Sequence, residues 1–355
     1  MKIMVGLSGG VDSAAAALLL KRAGHEVAGA IMYIWNKENI FLGSSGKGCY
    51  TPDKEADIES AKNTAETLGI PFHIIDVSKE YEKIVIGDFK HEYNSGRTPN
   101  PCVRCNSFIK FGVFPEKIRS MGISFDKFAT GHYVRLDEQN GRYCLRCAAD
   151  PLRDQSYFLY RLSQKQLSEV MFPLGGYTKK EIRALAAEAG MKVSERPDSQ
   201  DFYSGDYQDI LQRADEPGDI VDPEGRVIGH HRGFWHYTIG QRRGLGVAAK
   251  YPIYVTALDP EKNIVHTGPE EMLVKTKIRV TDLNWSAIPS LDSQRDVRIK
   301  VRSMGRGISG SVAPLPDGSA EVVFYERQKS PTPGQSAVFY DGDLLLGGGI
   351  INEVQ

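Results

Sequence analysis

Six residues near the amino terminus, Ser8-Gly9-Gly10-Val11-Asp12-Ser13, constrain this chain more than any other segment. They follow a short apolar run at residues 2–7 (KIMVGL). They precede VDSAAAALLLKRAG, whose alanine and leucine content predicts a helix closed by Gly24. Glycines in a strand-to-helix turn let backbone N–H groups approach an anion, and serine hydroxyls add donors. The helix start contributes its unpaired N–H groups and the positive end of its dipole. No Gly-Lys-[Ser/Thr] follows, so this is not a Walker A loop.

The pattern downstream extends the same architecture. EVAGAIMYI, PFHIIDV and FDKFATGHYV read as further strands, and residues 53–69 as a charged amphipathic helix. Strands alternating with helices predict a parallel sheet covered on both faces, an α/β fold. After Asp150, YFLYRLSQKQLSEVMF and TKKEIRALAAEAG read as helices. From Gly218 the helical pattern fades into apolar alternation broken by PEG, as in a hairpin. From about residue 275, short strand-like runs punctuated by Pro, Gly and Asp predict a small β-barrel. At 355 residues several units are expected. Their expected bounds are 1–205, 206–272 and 273–355.

Composition narrows the setting. Lys plus Arg number 44 against 45 Asp plus Glu, so no global basic excess announces a nucleic-acid partner, although one face can still be basic. Five cysteines are too few, and odd in number, for a secreted disulfide scaffold. The N-terminus lacks a signal-peptide pattern and no apolar run approaches a membrane span, so a cytoplasmic location is expected.

The SGGVDS loop resembles the PP-loop of ATP pyrophosphatases, which hold the β,γ-pyrophosphate of ATP and release it while transferring AMP. That resemblance implies ATP and Mg²⁺ as cofactors, with Asp12 helping to hold the metal. PP-loop enzymes that amidate, ligate or thiolate share the adenylation step, so the loop names a chemistry and not a substrate.

Cys102 and Cys105 form a CxxC in GRTPNPCVRCN, ahead of a helical stretch. Arg97, Arg104, Lys110 and the helix start are expected to favour thiolate over thiol. A metal or iron–sulfur knuckle, a structural pair and a redox or sulfur-carrying pair are the three readings. The second CxxC, Cys144 and Cys147 in RYCLRCAAD, lies on a predicted hairpin strand, where joint ligation is awkward.

Together GLSGGVDS, GRTPNPCVRCN, ATGHYVR, RDQSYFLYRL, HYTIGQRRGLG and TPGQSAVFY resemble the bacterial tRNA-specific 2-thiouridylase family through nearly the whole chain. The resemblance implies a PP-loop α/β domain, a small central domain and a C-terminal β-barrel. It implies ATP-dependent adenylation of the C2-oxygen of the wobble uridine in tRNAs for Lys, Glu and Gln, then sulfur transfer from a cysteine persulfide. The sulfur would come from a donor protein or sulfide. By position, it places Gly6, Leu7, Ser8, Gly9, Gly10, Val11, Asp12, Ser13, Met32 and Gly131 around ATP. It places Asn100, Pro101 and Cys102 against the target base, with His132, Arg153, Asp154, Gln155 and Gln335 as tRNA contacts. Cys105 matches the nucleophilic cysteine. Arg242 and Arg243 are candidate phosphate contacts.

The chain departs from the family in two places. The best-known members have DxxC where this chain has CxxC, and a second catalytic cysteine in a later DSTGICF-like segment. Here that stretch is RPDSQDFY; Tyr203 stands in the cysteine's place, and no cysteine follows Cys147. Two repairs are open: a Cys102–Cys105 disulfide pair, or an iron–sulfur cluster on the CxxC with Asp198 or Asp201 as an added ligand. Cys49, in KGCYTPDKEAD, resembles a family cysteine near the start of a helix and is read as structural or incidental. The alternatives in function are another PP-loop adenylating enzyme, amide-forming or of tRNA-lysidine type, and a non-catalytic tRNA-binding relative.

Overall fold

The structure is a computed structural model and describes residues 1–36, 48–51, 54–191, 193, 202–203 and 205–355. Asp198 and Asp201, the added cluster ligands considered above, lie outside the described residues.

Alternation of apolar strand and amphipathic helix produces the expected α/β unit. It runs β1 (Lys2–Gly6), α1 (Val11–Arg22), β2 (Glu26–Tyr33), α2 (Glu55–Leu68) and β3 (Phe72–Asp76). Two interrupted helical stretches follow. The first is α3 (Ser78–Tyr81), a π turn at Glu82–Ile86 and α4 (Gly87–Asn94). The second is α5 (Pro101–Arg104), a π-helix at Cys105–Val113 and α6 (Phe114–Ser120). Then come β4 (Lys127–Ala129), the hairpin β5 (Arg135–Gln139) and β6 (Arg142–Arg146), α7 (Gln164–Glu169), β7 (Val170–Met171) and α8 (Lys179–Glu188). The sheet order is β3-β2-β1-β4-β7, and every pairing is parallel. The alanine run Ala14–Ala17 of α1 is wholly buried, which lets this helix pack closely on β1 and β2. The stretch 157–172, expected to be helical, is mostly a 3₁₀ turn at Ser156–Leu159 and the six residues of α7. Its aromatics Tyr157 and Tyr160 are instead consumed in packing against the barrel, where Tyr157 donates to the Ser336 carbonyl at 3.0 Å.

The middle unit carries α9 (Tyr207–Leu211) and a four-stranded sheet of β8 (Gly218–Val221), β9 (Val227–His231), β10 (Tyr254–Asp259) and β11 (Ile264–Gly268). The predicted PEG hairpin is β8–β9. The last unit is β12 (Val274–Trp285), β13 (Arg295–Lys300), β14 (Ile308–Pro314), β15 (Ala320–Lys329), β16 (Ser336–Asp341) and β17 (Leu344–Val354). These six strands close into a barrel through the β12–β17 pairing, which leaves no free edge among them. The β5–β6 hairpin, from the N-terminal part of the chain, adds to this barrel: Leu344 and Leu345 pair with Arg146 and Leu145.

Candidate active site

The SGGVDS loop leaves β1 and enters α1 with most of its hydrogen bonds closed on itself. The Ser8 amide donates to Ser13 Oγ at 3.0 Å, and Ser13 Oγ donates to the Gly10 carbonyl at 3.1 Å. Gly9 has φ +75°, a left-handed conformation that glycine adopts without strain. No side chain caps α1, so its first N–H groups remain available to an anion. The Gly131 backbone lies against the loop: a Cβ there would sit 2.5 Å from the Asp12 carbonyl carbon. Glycine at 131 is therefore a packing requirement of the loop.

Asp12 already has two protein partners. Its carboxylate accepts from Lys179 Nζ at 2.7 and 2.8 Å and from the Tyr133 hydroxyl at 2.8 Å. Lys179 opens α8 and is 8% exposed, so this ion pair fastens α8 to the start of α1. Neither Lys179 nor Tyr133 was singled out from the sequence. Only the fold brings residues so distant in the chain to Asp12.

A cavity of about 370 Å³ opens beside the loop. Gly6 through Ser13, Met32 and Gly131, the residues expected around ATP, line it, together with His132, Arg153 and Gln155, expected as tRNA contacts, and Cys105 and Lys110. Tyr81, Lys54, Asp57 and Cys49 join them, none of which the sequence had marked for this place. His132 is buried with Nδ1 2.8 Å from Thr130 Oγ1. Burial, reinforced by nearby Lys110, holds its basicity well below the ordinary histidine range, so it is neutral at physiological pH.

The cysteine side departs from expectation. Cys105 begins the π-helix Cys105–Val113, in which the Phe114 amide reaches back to the Ile109 carbonyl. Such i to i+5 bonding stacks residues five apart on one face, and both Cys105 and Lys110 reach the cavity. Arg97 and Arg104 do not tune the thiol. Arg97 is bound to Glu92 and Asn352, and Arg104 to Asp88. Burial dominates and pushes the Cys105 thiol up to about 11, against the pull of Lys110. Cys102 is half-buried, packs against the hydrophobic core and does not line the cavity.

The remaining expected residues hold the site's frame. Asn100 Oδ1 caps α5 by accepting from the Val103 amide at 3.3 Å, with Pro101 in the first turn. Gln335 Nε2 donates to the Thr98 and Pro99 carbonyls at 3.1 and 2.9 Å, and the Thr98 amide donates to Pro333. The TPGQ loop at the barrel rim thus clamps the segment leading to the CxxC. Asp154 faces inward: it accepts from the Ala148 amide, Ser156 Oγ and Lys300 Nζ, which ties the α/β unit to the barrel. Its side chain is 4% exposed. Gln155 exchanges hydrogen bonds with the Tyr133 backbone, while Arg153, Arg242 and Arg243 are exposed.

A phosphate-sized anion has a glycine loop, two hydroxyls and an uncapped helix start to meet here, but no loop lysine. That arrangement, at the end of the first strand of a parallel sheet, makes the chain a PP-loop nucleotide-binding protein. Family models agree along the chain: residues 1–203 match the tRNA methyl transferase HUP domain, 208–269 the tRNA methyl transferase PRC-barrel domain and 275–351 the aminomethyltransferase beta-barrel domain. Among curated relatives, the tRNA-specific 2-thiouridylase MnmA of Endomicrobium trichonymphae is 47% identical over 358 residues, covering 99% of both chains. Its namesake from Geotalea uraniireducens is 44% identical, covering 99% of this chain and 94% of that one. The Acetivibrio thermocellus protein of the same name is 41% identical, with 99% of each covered. The chain belongs to the tRNA-specific 2-thiouridylase family.

Two cofactor expectations can be set against the side chains present. ATP-bound Mg²⁺ needs one or two carboxylates beside the phosphates, and Asp12 and Asp57 are on the cavity wall. For a cluster, no three His, Cys, Asp or Glu side chains among the described residues are arranged to hold a metal ion, and Asp198 and Asp201 lie outside those residues.

Proposed function

We propose that this chain is an ATP-dependent tRNA-uridine 2-sulfurtransferase, which adenylates the C2-oxygen of a wobble uridine and replaces that oxygen with sulfur. The observation that carries the reading is one cavity lined by both the SGGVDS loop and Cys105. Nucleotide activation and a sulfur nucleophile then act on the same atom without release of the intermediate. The loop N–H groups and α1 hold the pyrophosphate end of ATP, with Met32 and Gly131 around the nucleotide. Mg²⁺, when bound through Asp12 or Asp57, offsets phosphate charge. The uridine oxygen attacks the α-phosphorus and pyrophosphate leaves; sulfur then attacks C2, and AMP leaves with the oxygen.

Asn100, Pro101 and Cys102 form the start of the helical stretch that carries Cys105 toward the target base. His132, neutral and fixed by Thr130, offers a ring nitrogen and no charge. Arg153 and Gln155 lie where the tRNA enters, and the exposed Arg242 and Arg243 meet its phosphates. Asp154 and Gln335 serve the tRNA by holding the surfaces it contacts. The substrates are tRNAs for Lys, Glu and Gln, the sulfur comes from a donor protein or sulfide, and the reaction is placed in the cytoplasm. No helix among the described residues is long and apolar enough to cross a membrane.

The test is 2-thiouridine formation on unmodified glutamate tRNA with ATP and glutathione persulfide under anaerobic conditions, read by nucleoside mass spectrometry. Product from the wild type and none from Cys105→Ala supports the reading. AMP formation with tRNA but no thiolated product, unaffected by Cys105→Ala, would turn it toward an amide-forming or lysidine-type ligase. No tRNA-dependent AMP would leave a non-catalytic tRNA-binding relative.

A further inference from the structure

We infer that Cys49 is the sulfur-carrying cysteine of this chain and Cys105 its redox partner, so that Cys49 supplies from a neighbouring segment the thiol that Tyr203 does not. The inference rests on the thiolation reading above and names the thiols that perform it.

The cavity is lined by Cys49 and Cys105 but not by Cys102. Cys49 is held at this place from both sides. Gly48 lies so close to the 202–203 backbone that a Cβ would be 2.8 Å from the Phe202 carbonyl oxygen and 3.0 Å from Tyr203 Cα. The Tyr50 amide donates to the same Phe202 carbonyl at 2.9 Å. Tyr50 is fully buried, stacks on Tyr81 and Phe202 at 5.5 and 5.9 Å, and donates to Glu82 at 2.9 Å. Cys49 therefore sits directly beside the segment where family members carry their second cysteine. Tyr203 points elsewhere: its hydroxyl donates to Asp209 at 2.6 Å, and its ring lines a separate hollow with Trp235 and Tyr237.

Cys105 also feels Cys49. A negative charge on Cys49 opposes ionisation of Cys105, and Tyr81, which lines the same cavity, feels Cys105, Cys49 and Cys102 alike. Their settings suit different tasks. Cys49 is exposed, within reach of a donor, whereas Cys105 is recessed and kept as a thiol until the base is in place.

The chemistry balances as follows. A persulfide donor charges Cys49 to Cys49–S–SH. After adenylation has removed the N3 proton of the uridine, the outer sulfur, as its anion, attacks C2, and AMP leaves with the oxygen. This gives a Cys49–S–S–C2 adduct. Cys105 sulfur attacks the Cys49 sulfur, the S–S bond breaks, and the Cys105 proton ends on N3 of the 2-thiouridine. The two cysteines are oxidised to a disulfide and the transferred sulfur is reduced. A dithiol reductant then restores both thiols.

The experiment supplies glutathione persulfide as donor, with ATP and unmodified glutamate tRNA, to wild type and Cys49→Ser. The expected result is at least a ~50-fold loss of 2-thiouridine in Cys49→Ser. Peptide mapping of the wild type without reductant, after one turnover, should recover a Cys49–Cys105 disulfide. Thiolation by Cys49→Ser within about twofold of wild type would overturn the inference. So would a Cys102–Cys105 disulfide, or stoichiometric iron in anaerobically purified protein with all three thiols shielded from alkylation. Wild type that makes no 2-thiouridine from either persulfide or sulfide would instead remove the functional reading beneath it.

Discussion

The loop side of the cavity closes its serine hydrogen bonds within Ser8–Ser13, while the cysteine side is gathered from residues 48–51, 101–113 and 202–203. The first is a local structure whose chemistry travels with six residues. The second exists only where three segments meet, and its thiols owe their properties to burial and neighbours. On the inference above, the contrast is the reason a chain could lose a cysteine at one position and keep the chemistry. A site assembled from several segments can take the thiol from any segment that reaches it, whereas the anion loop offers no substitute for its own glycines and serines.

Four measurements can break or sharpen that contrast. Gly131→Ala pushes a methyl into the Asp12 backbone at 2.5 Å and should displace the loop. Because misplacement by about 1 Å costs roughly 100-fold, tRNA-dependent AMP release should fall by at least that factor; near-normal release would mean the loop tolerates far more movement than its packing implies. Cys105, with its thiol pushed up to about 11 from the ordinary 9.0, should be alkylated at pH 8 about 100-fold more slowly than an unshifted thiol. Mass-spectrometric alkylation rates against pH read this directly, and a Cys105 rate equal to that of a free peptide thiol would deny the role of burial. The folded state keeps that proton up to about pH 11, whereas the unfolded thiol releases it nearer 9, so stability falls as pH rises between the two.

Asp12→Ala leaves Lys179, 8% exposed, without its carboxylate. A wholly buried broken pair costs ~3–5 kcal/mol, and since the Asp12 side chain is 30% exposed the expected loss is about 2 kcal/mol by urea denaturation. No change in midpoint would show that Lys179 finds water. The smallest effect is expected from Gln335→Ala, which removes the two hydrogen bonds to Thr98 and Pro99. A loss of ~1 kcal/mol should accompany a several-fold drop in thiolation, with AMP release little altered. Equal losses in both would show that the clamp supports the loop side as well.

Much of the fold was readable because its signals are local. Apolar strands, the alanine-rich α1, the PEG hairpin and the punctuated strands of the barrel each appear in consecutive residues. What misled was packing. The aromatic run 157–160 looks helical in composition but is drawn into the barrel interface. The β5–β6 hairpin lies early in the chain yet adds to the barrel's sheet through β17.

The sequence by itself determined the anion loop, the order of the units and the presence of a CxxC, since each depends on neighbours within a few residues. Only the tertiary structure decided which cysteine shares the cavity with Cys105, that Asp12 is paired with Lys179, and that Asp154 and Gln335 hold the frame together. Those facts rest on contacts between segments far apart in the chain. Even the shared face of Cys105 and Lys110 depends on a π-helix, since α-helical reading places residues three and four apart together. Burial set the protonation of Cys105 against the charges its sequence neighbours promised, because those charges are spent on partners that only folding supplies.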